Sequence, residues 1–410
     1  MTTHLTSPPT TDQPGEGSAP LVPLPSDFYG FECELTAVEQ QALGRIRSFF
    51  DTEVRPVADD FWLRGEFPVH LIQPMARLGL LGAFSPEVRQ FENSAVYRGW
   101  AALEMSRVDA GTATFVGVQS GLAMGSVQVG GSPEQRAHWL PRMARGEVVS
   151  AFGLTEPLSG SDSARGLRTV ARRQGDSWVL DGAKRWIGNG TFADVLVVYA
   201  KDVADGQVLG FLVRSDSPGF SARKIADKVS LRSVQNADLT LEGVVVPEEM
   251  RLPGIRSFRD VATVLRLTRV EVAWQAIGIA VGAYEAALAY AMRREQFGKP
   301  IASHQLVQDL LTRCLANITS SIALCTQASK LQDQGRQREE HSAMAKSFAT
   351  SRMRETVGWA REVLGGNGIT LEHGVAKFFA DSEAIYSYEG TREMNSLIVG
   401  RAITGFQAFV

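Results

Sequence analysis

Residues 264–295 read VLRLTRVEVAWQAIGIAVGAYEAALAYAMRRE. Wound at about 3.6 residues per turn, this stretch puts apolar side chains on most of its faces. It contains no proline, and its charges are scattered. Such a helix is stable only when other helices cover it. Two more stretches with helical periodicity follow, 303–334 and 339–364, and a shorter one, 393–406, closes the chain. The last third of the chain is therefore expected to be a four-helix bundle.

The stretch 36–145 is also helical in pattern. Thr36 and Glu39 form a capping-box signature ahead of a periodic run through Phe50. Further helical runs fall at 69–78, 94–109 and 133–144, the last opened by Ser132-Pro133. The character changes near Ser150. Short β-prone runs at 178–180, 195–200, 208–213 and 239–241 are divided by turns such as Asp181-Gly182 and Asp205-Gly206. That spacing predicts an antiparallel sheet or small barrel. No Gly-x-Gly-x-x-Gly follows a strand, which disfavours a nicotinamide-binding doubly wound domain. The expected fold class is α+β, in four parts. A Thr/Ser/Pro/Gly-rich tail covers 1–27, a helical domain 28–150, a β domain 151–262 and a helical bundle 263–410.

Bulk chemistry narrows the function. The 410 residues are 44% hydrophobic and 21% charged, with a net charge of −3, so no electrostatic case exists for nucleic acid or anionic membranes. Cys33, Cys314 and Cys325 do not make a disulfide framework and read as reduced. The six histidines are scattered, without His-Glu-x-x-His or Cys-x-x-Cys spacing, so no metal site is expected. No apolar run of membrane-spanning length, no signal-peptide pattern and no peroxisomal C-terminal tripeptide is found, so the expected address is cytoplasmic.

Five motifs carry the candidate chemistry. Phe152-Gly153-Leu154-Thr155-Glu156-Pro157, followed by Ser159-Gly160-Ser161-Asp162, offers hydroxyls and backbone N–H groups to a polar heterocycle or phosphate. Trp186-Ile187-Gly188-Asn189 can flank a planar ring. Arg294 and Phe297, in Arg293-Arg294-Glu295-Gln296-Phe297-Gly298, suit a pyrophosphate beside a flat ring. Leu364-Gly365-Gly366-Asn367-Gly368 is a glycine-rich turn. Tyr388-Glu389-Gly390-Thr391 pairs a carboxylate with a glycine that permits close ligand approach. Taken alone, each stretch reads first as a plain loop, turn, core residue or helix end.

In this order the five resemble the acyl-CoA dehydrogenase family over about residues 36–409. The C-terminal segment, with Gly400-Arg401-Ala402-Ile403-Thr404-Gly405, is most similar to glutaryl-CoA dehydrogenases. The middle, with Val234-Gln235-Asn236 and Val272-Ala273-Trp274-Gln275, is more similar to short-chain acyl-CoA oxidases. The resemblance implies FAD and α,β-desaturation of an acyl-CoA, with Glu389 as the α-proton base and the β-hydride passing to flavin N5. It further implies that the Glu389 N–H and a flavin ribityl hydroxyl polarise the thioester carbonyl.

By matching positions, Phe152, Leu154, Thr155, Gly160, Ser161, Trp186, Ile187, Gly188 and Thr391 would contact the flavin. Arg294, Phe297, Gln305, Glu362, Gly365 and Gly366 would hold the adenosine pyrophosphate of a neighbouring subunit's FAD, which implies a homotetramer. Ser161, Arg269, Tyr388 and Gly390 would contact the substrate. Ala113 and Gly117 stand where the glutaryl-type pocket carries an arginine and a serine, so a short or branched uncharged acyl group is expected. Gly188 stands where family dehydrogenases commonly place Thr or Ser beside flavin N5.

Electrons would pass to an electron-transfer flavoprotein. Dioxygen as acceptor and a carrier-protein thioester stay open as alternatives, as does a catalytically silent protein with the same fold. Glu271, beside aromatic and aliphatic neighbours and without a matching glycine, is the weaker candidate for the base.

Overall fold

The computed structural model describes residues 24–408. Most of the tail read at 1–27 lies outside the described residues. Within them, Leu24, Ser26 and Asp27 are buried. The Asp27 carboxylate accepts from the backbone N–H groups of Phe31 and Glu32, each at 2.9 Å.

The first helices are α1 (Ala37–Phe49), α2 (Arg55–Arg64), α3 (Ile72–Arg77), α4 (Ala95–Val108), α5 (Ala110–Val116), α6 (Met124–Gly130) and α7 (Pro133–Ala144). Thr36 and Glu39 close the expected capping box: the Glu39 N–H donates to the Thr36 hydroxyl, and the Thr36 N–H donates to the Glu39 carboxylate. Between α5 and α6 the residues Gly117–Ala123 wind as a π-helical turn, a geometry frequent at functional sites.

The sheet has strands β1 (Ser150–Gly153), β2 (Val170–Gln174), β3 (Ser177–Ile187), β4 (Val195–Asp202), β5 (Val208–Arg214), β6 (Phe220–Lys224), β7 (Ala237–Pro247) and β8 (Arg251–Leu252). A short helix α8 (Ser163–Gly166) joins β1 to β2. The order is β6-β7-β3-β2-β4-β5-β8, with β1 added against β4. The sheet is not purely antiparallel: β1 and β2 both run parallel to β4. Parallel neighbours need long crossovers, and no local turn signal announces them. β4 and β5 are buried on both faces along most of their length, which is why they read as unbroken apolar runs. The ladder between β3 and β7 is irregular between Lys184 and Ile187, next to Trp186.

The bundle consists of α9 (Phe258–Arg293), α10 (Gln305–Asp333), α11 (Glu339–Val363), α12 (Ala376–Ser387) and α13 (Arg392–Thr404). Helix α9 starts before residue 264 because Asp260 accepts from the Ser257 N–H at 3.0 Å and fixes its first turn. It packs against α4, α10 and α11. Trp274 of α9 lies against Trp100 of α4, ring centroids 5.5 Å apart, and its Nε1 donates to Ser329 Oγ at 3.0 Å. Gly99 permits this approach, since a Cβ there would fall 2.2 Å from the Trp274 ring. By length and composition α9 qualifies to cross a membrane, but 78% of its apolar window is buried inside the protein, as in a core helix. Cys314 and Cys325 are free and buried on α10, and Cys33 is free and exposed.

Candidate active site

Helices α12 and α13 are joined by a tight turn in which Glu389 has φ 55° and Gly390 φ 85°. Left-handed backbone costs a non-glycine residue on the order of 1 kcal/mol or more, so neighbours must hold it. Lys346 of α11 donates to the carbonyls of Tyr386 (2.7 Å) and Gly390 (2.9 Å). Asn395 donates to those of Gly390 (2.8 Å) and Thr391 (3.1 Å). Arg269 Nε donates to the Glu389 carbonyl at 3.3 Å. The Thr391 hydroxyl accepts from the Met394 N–H and caps α13. Among the described residues, the Glu389 N–H meets no protein acceptor.

The Glu389 carboxylate is divided in its environment. Oε1 accepts from the Thr268 hydroxyl at 3.2 Å, whereas Oε2 is buried without a partner. Burial pushes the Glu389 carboxyl above the usual range, against the Arg269 charge, the Thr268 hydrogen bond and the Lys346 charge. Burial also brings Lys346 down to about 7, against the Glu389 charge. A neutral amine there keeps two N–H bonds for its two carbonyls.

Tyr388, Ala113 and Gly117 meet at Gln275. The Tyr388 hydroxyl donates to Gln275 Oε1 at 2.7 Å, and Gln275 Nε2 reaches the Ala113 carbonyl at 3.4 Å. A Cβ on Gly117 would stand 3.1 Å from the same Nε2. The Ala113 side chain is fully buried. Arg269 is turned to the Glu389 carbonyl and, at 3.7 Å, to Glu339.

On the sheet side, the loop after β1 is anchored from below. Lys184 Nζ donates to Glu156 (2.8 Å) and to the Leu154 carbonyl (3.2 Å), and the Arg185 N–H donates to the Thr155 carbonyl (2.8 Å). The Lys184 ammonium and the N–H groups of Arg168 and Thr169 outweigh burial and hold the Glu156 carboxyl below the usual range. Phe152 meets Tyr199 edge-on at 5.3 Å. Gly160 and Ser161 are exposed.

Trp186 has φ 64° and is 51% exposed, while Ile187 is buried. Arg185 lies over the Trp186 ring at 4.9 Å and pairs with both oxygens of Asp238. A Cβ on Gly188 would meet Val118 Cγ2 at 3.1 Å, so the π-helical turn closes over the place of the missing side chain.

The remaining predicted residues lie elsewhere. From Arg269 to Arg294 the helix rises about 37 Å. Beyond it, β9 (Glu295–Gln296) and β10 (Lys299–Pro300) form a hairpin whose tip, Phe297-Gly298, takes φ 54° and 76°. Phe297 is 94% exposed. Gln305 opens α10; Glu362 ends α11 beside Gly365, which takes φ 57°. The structure thus brings Glu389, Gly390, Tyr388, Arg269, Ala113 and Gly117 together, with Gly188 joined through Val118. It places the 294–305 and 362–366 residues apart from them.

Thr268, Lys346, Asn395 and Gln275 were not among the sequence candidates. Their one signal was a polar group inside an apolar helical pattern. The setting expected for Glu271 needs correction. A glycine does face it: a Cβ on Gly121 would stand 3.1 Å from Glu271 Oε2. That contact joins segments far apart in sequence.

Comparison with known proteins agrees with this architecture. Family models for the acyl-CoA dehydrogenase N-terminal, middle and C-terminal domains match residues 36–147, 151–244 and 258–404. The mitochondrial short-chain specific acyl-CoA dehydrogenase of Mus musculus is 32% identical, covering 89% of this chain and 90% of its own. The crystal structure of glutaryl-CoA dehydrogenase from Mycobacterium smegmatis superposes with a TM-score of 0.89 at 38% identity, covering 95% of this chain and 100% of its own. A second glutaryl-CoA dehydrogenase structure from that organism, in complex with FADH2, gives 0.89 at 34% identity, covering 94% and 99%. The chain belongs to the acyl-CoA dehydrogenase family, FAD-dependent oxidoreductases that act on the CH–CH bond of acyl-CoA.

Proposed function

We propose that this chain desaturates a short or branched, uncharged acyl-CoA, with Glu389 taking the α-proton. The observation that carries this reading is Glu389 Oε2, a buried carboxylate oxygen without a partner in a turn whose own N–H is free. The oxygen can accept a proton, and the N–H can donate to a thioester carbonyl as enolate charge develops. Burial raises the carboxyl toward the range where a base acts near neutrality. FAD, when bound, supplies the electron sink for the β-hydrogen.

The cofactor fits the groups on offer. The Thr155 and Ser161 hydroxyls have no protein partner among the described residues, and Trp186 stands out at an irregular strand end. Leu154, Thr155, Gly160, Ser161, Trp186, Gly188 and Thr391 would hold FAD from one protomer. Arg294, Phe297, Gln305 and 362–366 are too distant to reach the same cofactor. We assign them to a neighbour's FAD, which requires at least a dimer and fits a homotetramer; the exposed Phe297 tip favours a covered position. Ala113 and Gly117, which carry no charged side chain, favour an uncharged acyl group over glutaryl.

Reduced cofactor would be reoxidised by an electron-transfer flavoprotein. An oxidase reading rests on Gly188, which brings no hydroxyl to the cofactor. The experiment is anaerobic flavin bleaching by butyryl-, isobutyryl- and glutaryl-CoA, repeated in air with peroxide detection. Bleaching by the first two above glutaryl-CoA, with little peroxide, is expected; a clear preference for glutaryl-CoA would contradict the pocket assignment.

A further inference from the structure

Glu271 follows Arg269 by two residues on α9 and is only 6% exposed. Its Oε2 faces Gly121 of the π-helical turn beside the Thr268 methyl, and its Oε1 is buried without a partner. The titratable and charged groups facing it are Glu389 and Tyr388 from the α12–α13 turn and Arg98 from α4. Arg98 donates to the backbone and side-chain oxygens of Asn93 and lies 3.9 Å from Asp333 of α10. Arg269 and Lys346 face Glu389; Lys346 and the Arg269 Nε donate to backbone carbonyls, while Arg269 Nη1 is buried without a hydrogen-bond partner. Two buried carboxyls thus flank Thr268, each with an orphan oxygen, and neither contacts a cation. Ionising both would place two negative charges in one largely buried site, opposed at a distance by Arg98, Arg269 and Lys346.

We infer that Glu271 and Glu389 hold one proton between them at neutral pH, resident on Glu271, and that Glu271 is a positioning residue keeping the base site at a single negative charge. The inference rests on the reading of Glu389 as base. Burial and the Glu389 charge push Glu271 up to about 8, consistent with this placement. Once Glu271 ionises, a second negative charge stands where enolate charge must develop, and α-proton removal slows.

The test compares wild type, Glu271→Gln and Glu271→Met as FAD-loaded proteins. Flavin reduction by saturating butyryl-CoA in the wild type should fall about tenfold between pH 7 and pH 9, as one proton titrates near pH 8. Both variants should show a clearly shallower fall. Lys346 titrates in the same window, but any fall it causes is common to all three proteins, so the wild-type-minus-variant difference isolates Glu271.

Infrared difference spectroscopy supplies a readout independent of turnover. A protonated-carboxyl carbonyl band at pH 7, vanishing by pH 9, should appear in wild type minus variant. An alkaline fall as steep in both variants as in wild type, or the absence of that band, would overturn the inference. If no acyl-CoA bleaches the flavin, the reaction reading fails, and the infrared band alone decides where the proton resides.

Discussion

The Thr268 hydroxyl donates to Glu389 Oε1 across 3.2 Å and ties the core helix α9 to the turn between α12 and α13. This bond favours the ionised carboxylate, so removing it should move the acid limb of the pH–rate profile upward. Thr268→Val keeps the shape and deletes the donor. A hydrogen bond to a charged group is worth roughly 1.5 kcal/mol or more, equivalent to about one pH unit. An acid limb unmoved in flavin-reduction rates would show that the bond does not tune the base.

Lys346 links stability to pH. Its folded value of about 7 lies below its ordinary 10.5, so between these values the unfolded chain binds the extra proton. Stability from this residue therefore rises as pH increases from 7 toward 10.5. Lys346→Met removes the donor to the Tyr386 carbonyl and leaves Gly390's to Asn395 alone, a loss of roughly 1–3 kcal/mol. Chemical denaturation should show a larger penalty at pH 9 than at pH 7; the reverse order would contradict the assignment.

Gly188 and Val118 make a steric pair. Gly188→Thr would set its Cβ only 3.1 Å from Val118 Cγ2 and should cost about 1–3 kcal/mol. Val118→Ala should relieve part of that cost, giving a favourable coupling in a double-mutant cycle of thermal unfolding. Strictly additive effects would show that the two sites do not press on each other.

Phe297 tests assembly. Phe297→Asp replaces an exposed aromatic at a hairpin tip, where a monomer has little to lose. If the tip is covered by another subunit, the charge should be buried there, and sedimentation should show smaller species with lowered FAD content. An unchanged assembly with full FAD would remove this hairpin from the interface.

The readable parts of the molecule were those governed by local chemistry. The capping boxes at Thr36 and Ser132 gave their helices correct starts, and α7 fell at 133–144 as expected. Polar strands were missed: β2 (VARRQ) and β6 (FSARK) lack alternation because their side chains are largely exposed. Helix α12 was missed as well, having no side-chain cap at its start. At the site, Glu389 stood out through its neighbours in sequence. Its supports did not: Thr268, Lys346 and the Gly121–Glu271 contact come from segments distant in the chain. A fully buried lysine reads in sequence like any solvated one.

The central claim is that Glu389 takes the α-proton, and anaerobic stopped-flow on Glu389→Gln tests it most directly. The amide keeps the shape and can still occupy the turn, so FAD content and thermal stability should stay near wild type. Flavin reduction by butyryl-CoA should fall by roughly 10² to 10⁴. Reduction at a near-wild-type rate, with acyl-CoA still bound, would contradict the claim.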